Sequence, residues 1–516
     1  MDKKWWTLIV VCAATFMLLL DVTIVVVALP EIQKGLHTNF SDVQWVIDAY
    51  ALTLASLLLT AGSLADRYGR RLLFLIGLVI FTLGSLTCGL AQSPLMLILS
   101  RSAQGVGGAI MFATSLALLA QSFHGKERGI AFGVWGAVTG VATALGPILG
   151  GVITSEISWR GIFLVNLPIG VVAIAITWWK VDESLTPNAS QPDWAGFVVL
   201  TGGLVSLVYG LIDASVTSWG NSVVVLCLIL AVILLATFGF LENRTAHPLF
   251  DLSLFRTPTF SGGLIAAFTM NGSLFAMLLY MVLYLQDDLG YSALGTGVRL
   301  LIISGGTLVS AIIAGRLSSH MPVRWLIGPG LLLVGLGLLI MSGINGTSAW
   351  THLIPGFIVA GIGSGMVNPP LASTAVGVVS PERSGMASGV NTTFRQIGIA
   401  TSIAAFGSIF TSSIRHHLEH ALSSVPALAG SAPKVVTAIQ QGNAGDVFKS
   451  VPPDVRGELA SAIHSSFAGA VNDLLIVSGL LALVGAVCSV LLIRSKDFVH
   501  SGPAARASDH VERIQN

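Results

Sequence analysis

The sequence predicts an all-α integral membrane protein with 14 transmembrane helices: two six-helix bundles plus two extra central helices. Three observations carry this. The 516 residues are 53% hydrophobic and only 10% charged, with a mean hydropathy of +0.83; a soluble globular chain carries about 25% charged residues. Fourteen apolar runs reach the roughly 20 residues that a span requires. Lys and Arg are distributed unevenly between alternate connections.

The spans are read at roughly 6–29, 45–65, 72–91, 95–122, 129–153, 159–180, 194–213, 219–241, 260–285, 294–318, 324–343, 351–377, 386–411 and 469–494. MDKKWW ahead of the first run is read as the flank of a retained span rather than of a cleaved leader, because the run is long and carries Asp21. An even span number puts both termini on one side. With the N-terminus cytoplasmic, seventeen of the 26 Lys and Arg residues fall on inner segments and seven on outer ones, with Arg101 and Arg395 inside spans. The chain is therefore expected in the cell's cytoplasmic (inner) membrane, both termini cytoplasmic.

The polar stretch 181–193 reads as a short inner link. Residues 412–468 read as an external loop or hairpin over the outer mouth, with helical patterning near 453–467. The connection GSLADRYGRR after span 2 has a degraded counterpart, AGRLSSHMPVRW, after span 10. Paired halves of this kind suit transporters that rock about a midplane site. The expected organisation is a first bundle over 1–180, two inserted helices over 181–250, a second bundle over 251–500, and a cytoplasmic tail over 501–516.

Composition excludes several functions. The net charge of +1 says nothing about nucleic acid, and no basic patch is dense enough to suggest such a partner. No GxxxxGK[ST] loop supplies ATP binding. Cys12, Cys88, Cys227 and Cys488 lack metal spacing, and His416, His417 and His420 read as a solvated polar loop, so neither metal nor cofactor is expected. No ordered nucleophile–base set suggests an enzyme.

The polar residues inside the spans point to ion coupling. A charge at bilayer depth costs about 2.5–3.5 kcal/mol or more, so Asp21 demands a use. It lies about 13 Å below the outer end of span 1, and Arg101 about 9 Å into span 4. Two such groups at one depth can share a cavity; burial favours a neutral carboxyl, a guanidinium favours a carboxylate, and a cycle alternating the two can load and release a proton. A static Asp–Arg pair is the plainer alternative. Asp48, near the outer end of span 2, is a secondary proton candidate, with solvation at the interface expected for it and for Asp213. In the 2–3 loop, Gly62 and Gly69 permit a tight turn. Asp66 there, with Arg67, Arg70 and Arg71, can latch the cytoplasmic face or simply anchor it. Gly136, Gly140, Gly146, Pro147, Gly150 and Gly151 allow span 5 to pack closely and kink, as a seal or as generic small-residue packing. Arg395 and Asn391 in span 13 are polar at mid-depth, with Asn368 beside Pro369-Pro370 as an expected partner. A broad apolar cavity is expected from Trp45, Tyr50, Gln104, Met111, Phe112, Trp135, Phe268, Met270, Asn271, Phe275, Met277 and Tyr280.

GSLADRYGRR resembles the 2–3 loop signature of the major facilitator superfamily almost position by position. LILSRSAQGVGGA in span 4 and GAVTGVATALGPILGG in span 5 follow, the latter similar to the antiporter motif. LDVTIVVVALP, DWAGFVVL and SGVNTTFRQIG resemble motifs of the fourteen-span drug:proton antiporters (EmrB/QacA type). Val26 departs from that pattern, standing where the family usually has asparagine. The resemblance implies the major facilitator fold and a proton-coupled antiporter that exports hydrophobic or amphiphilic, neutral or monocationic drugs by alternating access. Export of a native lipid, siderophore or metabolite is the alternative, and proton-coupled import a third. The acid that some members of the resembled family carry in span 10 for dicationic drugs has no counterpart here, where span 10 contains Arg299 and no acid, so the resemblance implies weak handling of dications. Small substrates, protons and the bilayer are the expected partners, and a monomer the expected state.

Overall fold

A computed structural model describes residues 2–123, 125–183, 193–245, 252–318, 321–379, 384–423 and 456–498. Its long elements are helices: α1 (Lys3–Leu36), α2 (Phe40–Tyr68), α3 (Arg70–Gly89), α4 (Pro94–Ser122), α5 (Gly125–Glu156), the single turn α6 (Gly161–Leu164), α7 (Asn166–Lys180), α8 (Trp194–Val216), α9 (Ser222–Glu242), α10 (Pro258–Met270), α11 (Ala276–Leu283), α12 (Ala293–Leu317), α13 (Arg324–Met341), α14 (Ile354–Gly377), α15 (Ser384–Ser423) and α16 (Arg456–Leu492). Thirteen continuous stretches among the described residues are long and apolar enough to cross a membrane. The remaining expected span is α5, whose 32 residues pack against α1 and α12.

Local chemistry starts these helices where the sequence changes character. Asn39, Ser93, Asp193, Asn221 and Ser292 cap α2, α4, α8, α9 and α12 by accepting a backbone N–H of the first turn. Pro94 and Pro258 occupy first-turn positions, where a missing N–H costs nothing.

Helices α1–α7 pack among themselves, as do α10–α16. The two groups meet where α2 lies along α15 and α5 along α12. The inserted pair α8–α9 packs together, and α8 lies on both α2 and α15. Lys3 pairs with Asp182 at 2.6 Å, and the Thr259 hydroxyl meets Arg494 at the other chain end. Because α2 and α15 run antiparallel, joined at Gln44–Ile403 and at Ala55–Thr393, both chain ends share one end of the molecule.

Three expectations change. The external segment is shorter than 412–468: α15 continues to Ser423 and α16 begins at Arg456. The stretch SSIRHHLEHALS has no helix breaker before Pro426, and Pro452-Pro453 precede the α16 start. His416, His417 and His420 are thus helical; residues 424–455 lie outside the described residues, as does the tail over 501–516. Next, span 9 is not uniform. Wider π turns at Asn271–Phe275 and Tyr284–Asp288 interrupt it on either side of α11. Finally, span 6 is broken at Val165, between α6 and α7.

Candidate functional site

Inside the first group of helices, α1, α3, α4 and α7 converge on one polar cluster. Asp21 is fully buried and Arg101 is 1% exposed. The Arg101 Nη1 donates to Asp21 Oδ2, and also to Gln104 Oε1 at 2.7 Å. Asp21 Oδ1 accepts from Gln104 Nε2 at 2.9 Å and Asn166 Nδ2 at 3.3 Å. Gln104 and Asn166 each also reach Ser85 Oγ at 2.9 Å. Arg101 Nε donates to the Val46 carbonyl at 3.0 Å, and its guanidinium lies 4.3 Å from the Tyr50 ring centroid. Gly84 makes the site possible: a Cβ there would stand 3.0 Å from Gln104 backbone atoms. The depth argument from sequence brought Asp21 and Arg101 together. It missed Ser85 and Asn166, whose only signal was polarity within an apolar run, and it assigned Gln104 to the substrate cavity, whereas its amide is spent on Asp21 and Ser85.

Asp48 is the sharper correction. It is not solvated at an interface; it is fully buried, and neither carboxylate oxygen has a hydrogen-bond partner. It sits on the part of α2 that packs along α15, about two turns from Phe40, whose ring centroid is 6.0 Å from that of Tyr280 in α11. α2 enters as a continuous buried face here because α15 covers one side and α4 the other. Asp213 is half-buried near the end of α8.

The α5 glycines divide into two sets. Gly146 and Gly150 lie against Thr23 and Ile24 of α1; a Cβ on Gly150 would stand 2.9 Å from the Ile24 carbonyl. Gly151 faces Ala293, and Pro147 faces Gly297, across the α5–α12 seam. Gly136, by contrast, has open space around it. The position of Gly140 in α5 is set, but its surroundings fall outside the described residues.

At the end that carries the termini, Gly69 has φ 114° and separates α2 from α3. Glu183 fills the space where its side chain would be, and its carboxylate accepts from the N–H of Arg71 at 3.0 Å and of Leu72 at 3.1 Å. An anion on the exposed N–H groups of a helix start is favourable. Sequence reading placed Glu183 in a mere link and missed this. Arg71 also donates to the Trp178 carbonyl, Arg67 is exposed, and Arg70 and Gly62 are half-buried. The Asp66 side chain lies outside the described residues.

The expected cavity residues scatter. Trp45 packs on Tyr209 of α8, with ring centroids 6.3 Å apart, so it faces the inserted pair. Met111 is fully buried in the core of the first bundle with Phe112 against it; Met270 and Met277 are buried in the larger core, with Phe275 packed against it. Tyr280 is fully buried and its hydroxyl donates to the Ile403 carbonyl at 2.9 Å. Here they are packed in the core, which sequence does not separate from a drug cavity because the two use the same apolar residues. Trp135 bonds Thr15 of α1 at 2.9 Å, and Asn271 bonds the Ala267 carbonyl at 2.9 Å. Phe268 is half-buried. Arg395 bridges Asn391 at 3.2 Å and Asn368 at 3.0 Å, the partner that sequence suggested. His417 reaches Asp473 at 3.1 Å, while His416 and His420 are exposed.

Comparison with known proteins matches residues 11–403 to the Major Facilitator Superfamily. The chain is 35% identical over 421 residues to the multidrug resistance protein Stp of Mycobacterium tuberculosis, covering 81% of this chain and 78% of that protein. It is 31% identical over 491 residues to the tetracenomycin C resistance and export protein of Streptomyces glaucescens, covering 95% and 91%. It is 34% identical over 443 residues to a puromycin resistance protein of Streptomyces alboniger, covering 85% and 88%. In fold it is similar to a bacterial homologue of the human lysosomal transporter Spinster in an inward-facing, unoccupied conformation: TM-score 0.61, 16% identity, covering 97% and 99%.

Proposed function

The chain belongs to the major facilitator superfamily, and from that premise we propose that it is a proton-coupled antiporter of the fourteen-span drug:proton type. It exports hydrophobic or amphiphilic, neutral or monocationic compounds across the cytoplasmic membrane, with both termini inside. Three of its relatives are named for resistance to drugs or antibiotics, and transport rather than catalysis is the activity of the superfamily.

The observation that carries the coupling reading is the contrast between the two buried carboxyls. Asp21 has a cation and two amides on its oxygens. Asp48 has none on either. A buried carboxyl without a cation or donor is a place to hold a proton, because an unpaired buried charge costs several kcal/mol. Asp48 therefore carries the proton while the seam around it is closed, and Asp21 with Arg101 forms a paired cluster held within the first bundle. Gly146, Gly150, Gly151 and Pro147 keep α5 flush against α1 and α12, which excludes water beside that path. Glu183, Gly69 and the arginines of the 2–3 loop hold the terminal end. The membrane potential adds about 2.3 kcal/mol per charge per 100 mV to each inward proton.

Proteoliposomes with a lipophilic monovalent dye and a lumenal pH probe test this. Dye movement against its gradient, with counter-movement of protons and loss on collapsing the pH gradient, is expected. Dye transport indifferent to that gradient, or driven only in the direction of proton flow, overturns the antiport reading.

A further inference from the structure

Away from the Asp21 cluster, the seam at the end opposite the termini contains polar atoms that packing alone does not require. Gln44 of α2 is fully buried, and its Nε2 crosses to the Ile403 carbonyl of α15 at 3.0 Å. The Tyr280 hydroxyl donates to the same carbonyl at 2.9 Å. Gly407 leaves the room, since a Cβ there would collide with the Gln44 amide. Gln44 Oε1 has no partner, and Asp48, one helical turn further along α2, has none for either oxygen. Aromatic rings close the seam around Tyr280: Phe40, Phe406 and Phe410 lie with centroids 6.0, 6.3 and 5.3 Å from its own.

We propose that Gln44 and Tyr280 form a clasp on the Ile403 carbonyl that couples protonation of Asp48 to closure of this seam. The proposal rests on Asp48 as a proton-carrying group. Gln44 is the cross-bundle member, and Tyr280 fixes the carbonyl that it grips from the second bundle's side. Both are positioning residues. The closed seam offers Asp48 no donor, so an ionised carboxyl there favours the open seam, where water reaches it; a proton removes that penalty, and the clasp then supplies the bond that holds the helices together. No other group on the facing surface competes: α15 carries no titratable side chain from Ile403 to Phe410. Tyr280 of α11, a member of the clasp, is the titratable group that interacts electrostatically with Asp48; on the helices packed against α2 the titratable groups inside the spans include Cys12 and Asp21 of α1, Cys88 of α3, Arg101 of α4, and Tyr209 and Asp213 of α8. Asp21 and Arg101 are already bonded to each other.

The test reads seam opening directly. All four native cysteines are replaced, and Ile47, on the same face of α2 as Gln44 and Asp48, becomes the single reporter through Ile47→Cys. Reconstituted full-length protein is labelled with a membrane-impermeant maleimide from the side opposite the termini, across pH 5–9 or so. Each rate is divided by that of the same cysteine in the SDS-unfolded protein at the same pH, which cancels thiolate formation; so normalised, labelling of the parent is expected to rise with pH. Asp48→Asn should abolish that normalised rise. Tyr280→Phe and Gln44→Leu should each favour the open state about five-fold, moving the midpoint about 0.7 of a pH unit to the acid side. If Asp48→Asn leaves the pH response intact, Asp48 is not the proton-carrying group and the clasp falls with it. If Asp48→Asn abolishes the response but both clasp variants keep the parent midpoint, the clasp alone is wrong. A uniform change of labelling at every pH marks Gln44 and Tyr280 as packing residues and also overturns the proposal. Tyr280→Phe removes a single oxygen, so the comparison survives if Gln44→Leu fails to fold.

Discussion

The same substitution at two carboxyls should give opposite results. Asp21→Asn preserves size but leaves one acceptor oxygen where two were used. Oδ1 now serves Gln104 and Asn166, and Oδ2 serves Arg101. Whichever way the new amide turns, an N–H₂ faces existing donors, and the buried guanidinium keeps only neutral acceptors, the Val46 carbonyl and Gln104 Oε1. Breaking a buried ion pair from one side costs about 3–5 kcal/mol. Hydrogen bonds between membrane helices are worth about 0.6 kcal/mol on average, so the low end, about 3 kcal/mol, is expected. Asp48→Asn breaks no bond, because neither of its oxygens has a partner, and should cost under about 1 kcal/mol. Both variants would be unfolded by SDS titration from mild detergent, following fluorescence of the 11 tryptophans. Both would then be assayed for gradient-driven dye transport. Asp48→Asn should fold normally and lose proton coupling; Asp21→Asn should lose stability and transport together. An Asp48→Asn protein as destabilised as Asp21→Asn would refute the distinction between a paired and an unpaired carboxyl.

Other outcomes follow from single contacts. Gly150→Leu drives a side chain into Ile24 and should cost about 1–3 kcal/mol of stability, while Gly136→Ala, which meets nothing, should be neutral or gain up to about 1 kcal/mol from helix propensity; equal thermal shifts for the two contradict the α5 packing. Glu183→Gln weakens the anion on the α3 start and should cost about 0.5–2 kcal/mol, visible as faster amide exchange at Arg71 and Leu72, with unchanged exchange counting against the cap. Arg395→Lys cannot span Asn391 and Asn368 together, so transport should fall about tenfold; wild-type rates would exclude a role for that bridge. Monovalent dyes should leave faster than divalent ones, because α12 carries no acid and its Arg299 lies 3.5 Å from the Tyr291 ring centroid; equal rates refute this.

Sequence alone determined the apolar spans and the even topology. It also supplied the 2–3 loop signature, the glycines of α5, and the common depth of Asp21 and Arg101. Those are matters of composition, run length and rise per residue, which a linear reading measures directly. It also anticipated Arg395 with Asn368, since a polar group in lipid must find a partner at its own level. What it did not determine is which way each helix is turned. In a soluble helix the polar stripe reveals the buried face. In a membrane the surrounding lipid is as apolar as the core, so a lipid-facing residue and a buried one are chemically alike. Only the tertiary structure decided that Trp45 turns to α8, that Met111 and Tyr280 are buried in the core, and that Ser85, Gln104 and Asn166 complete the Asp21 site. It also decided that Glu183 caps α3 and that Asp48 is buried without a partner. Each of these depends on rotation about a helix axis and on the neighbour met there, and hydropathy does not record either.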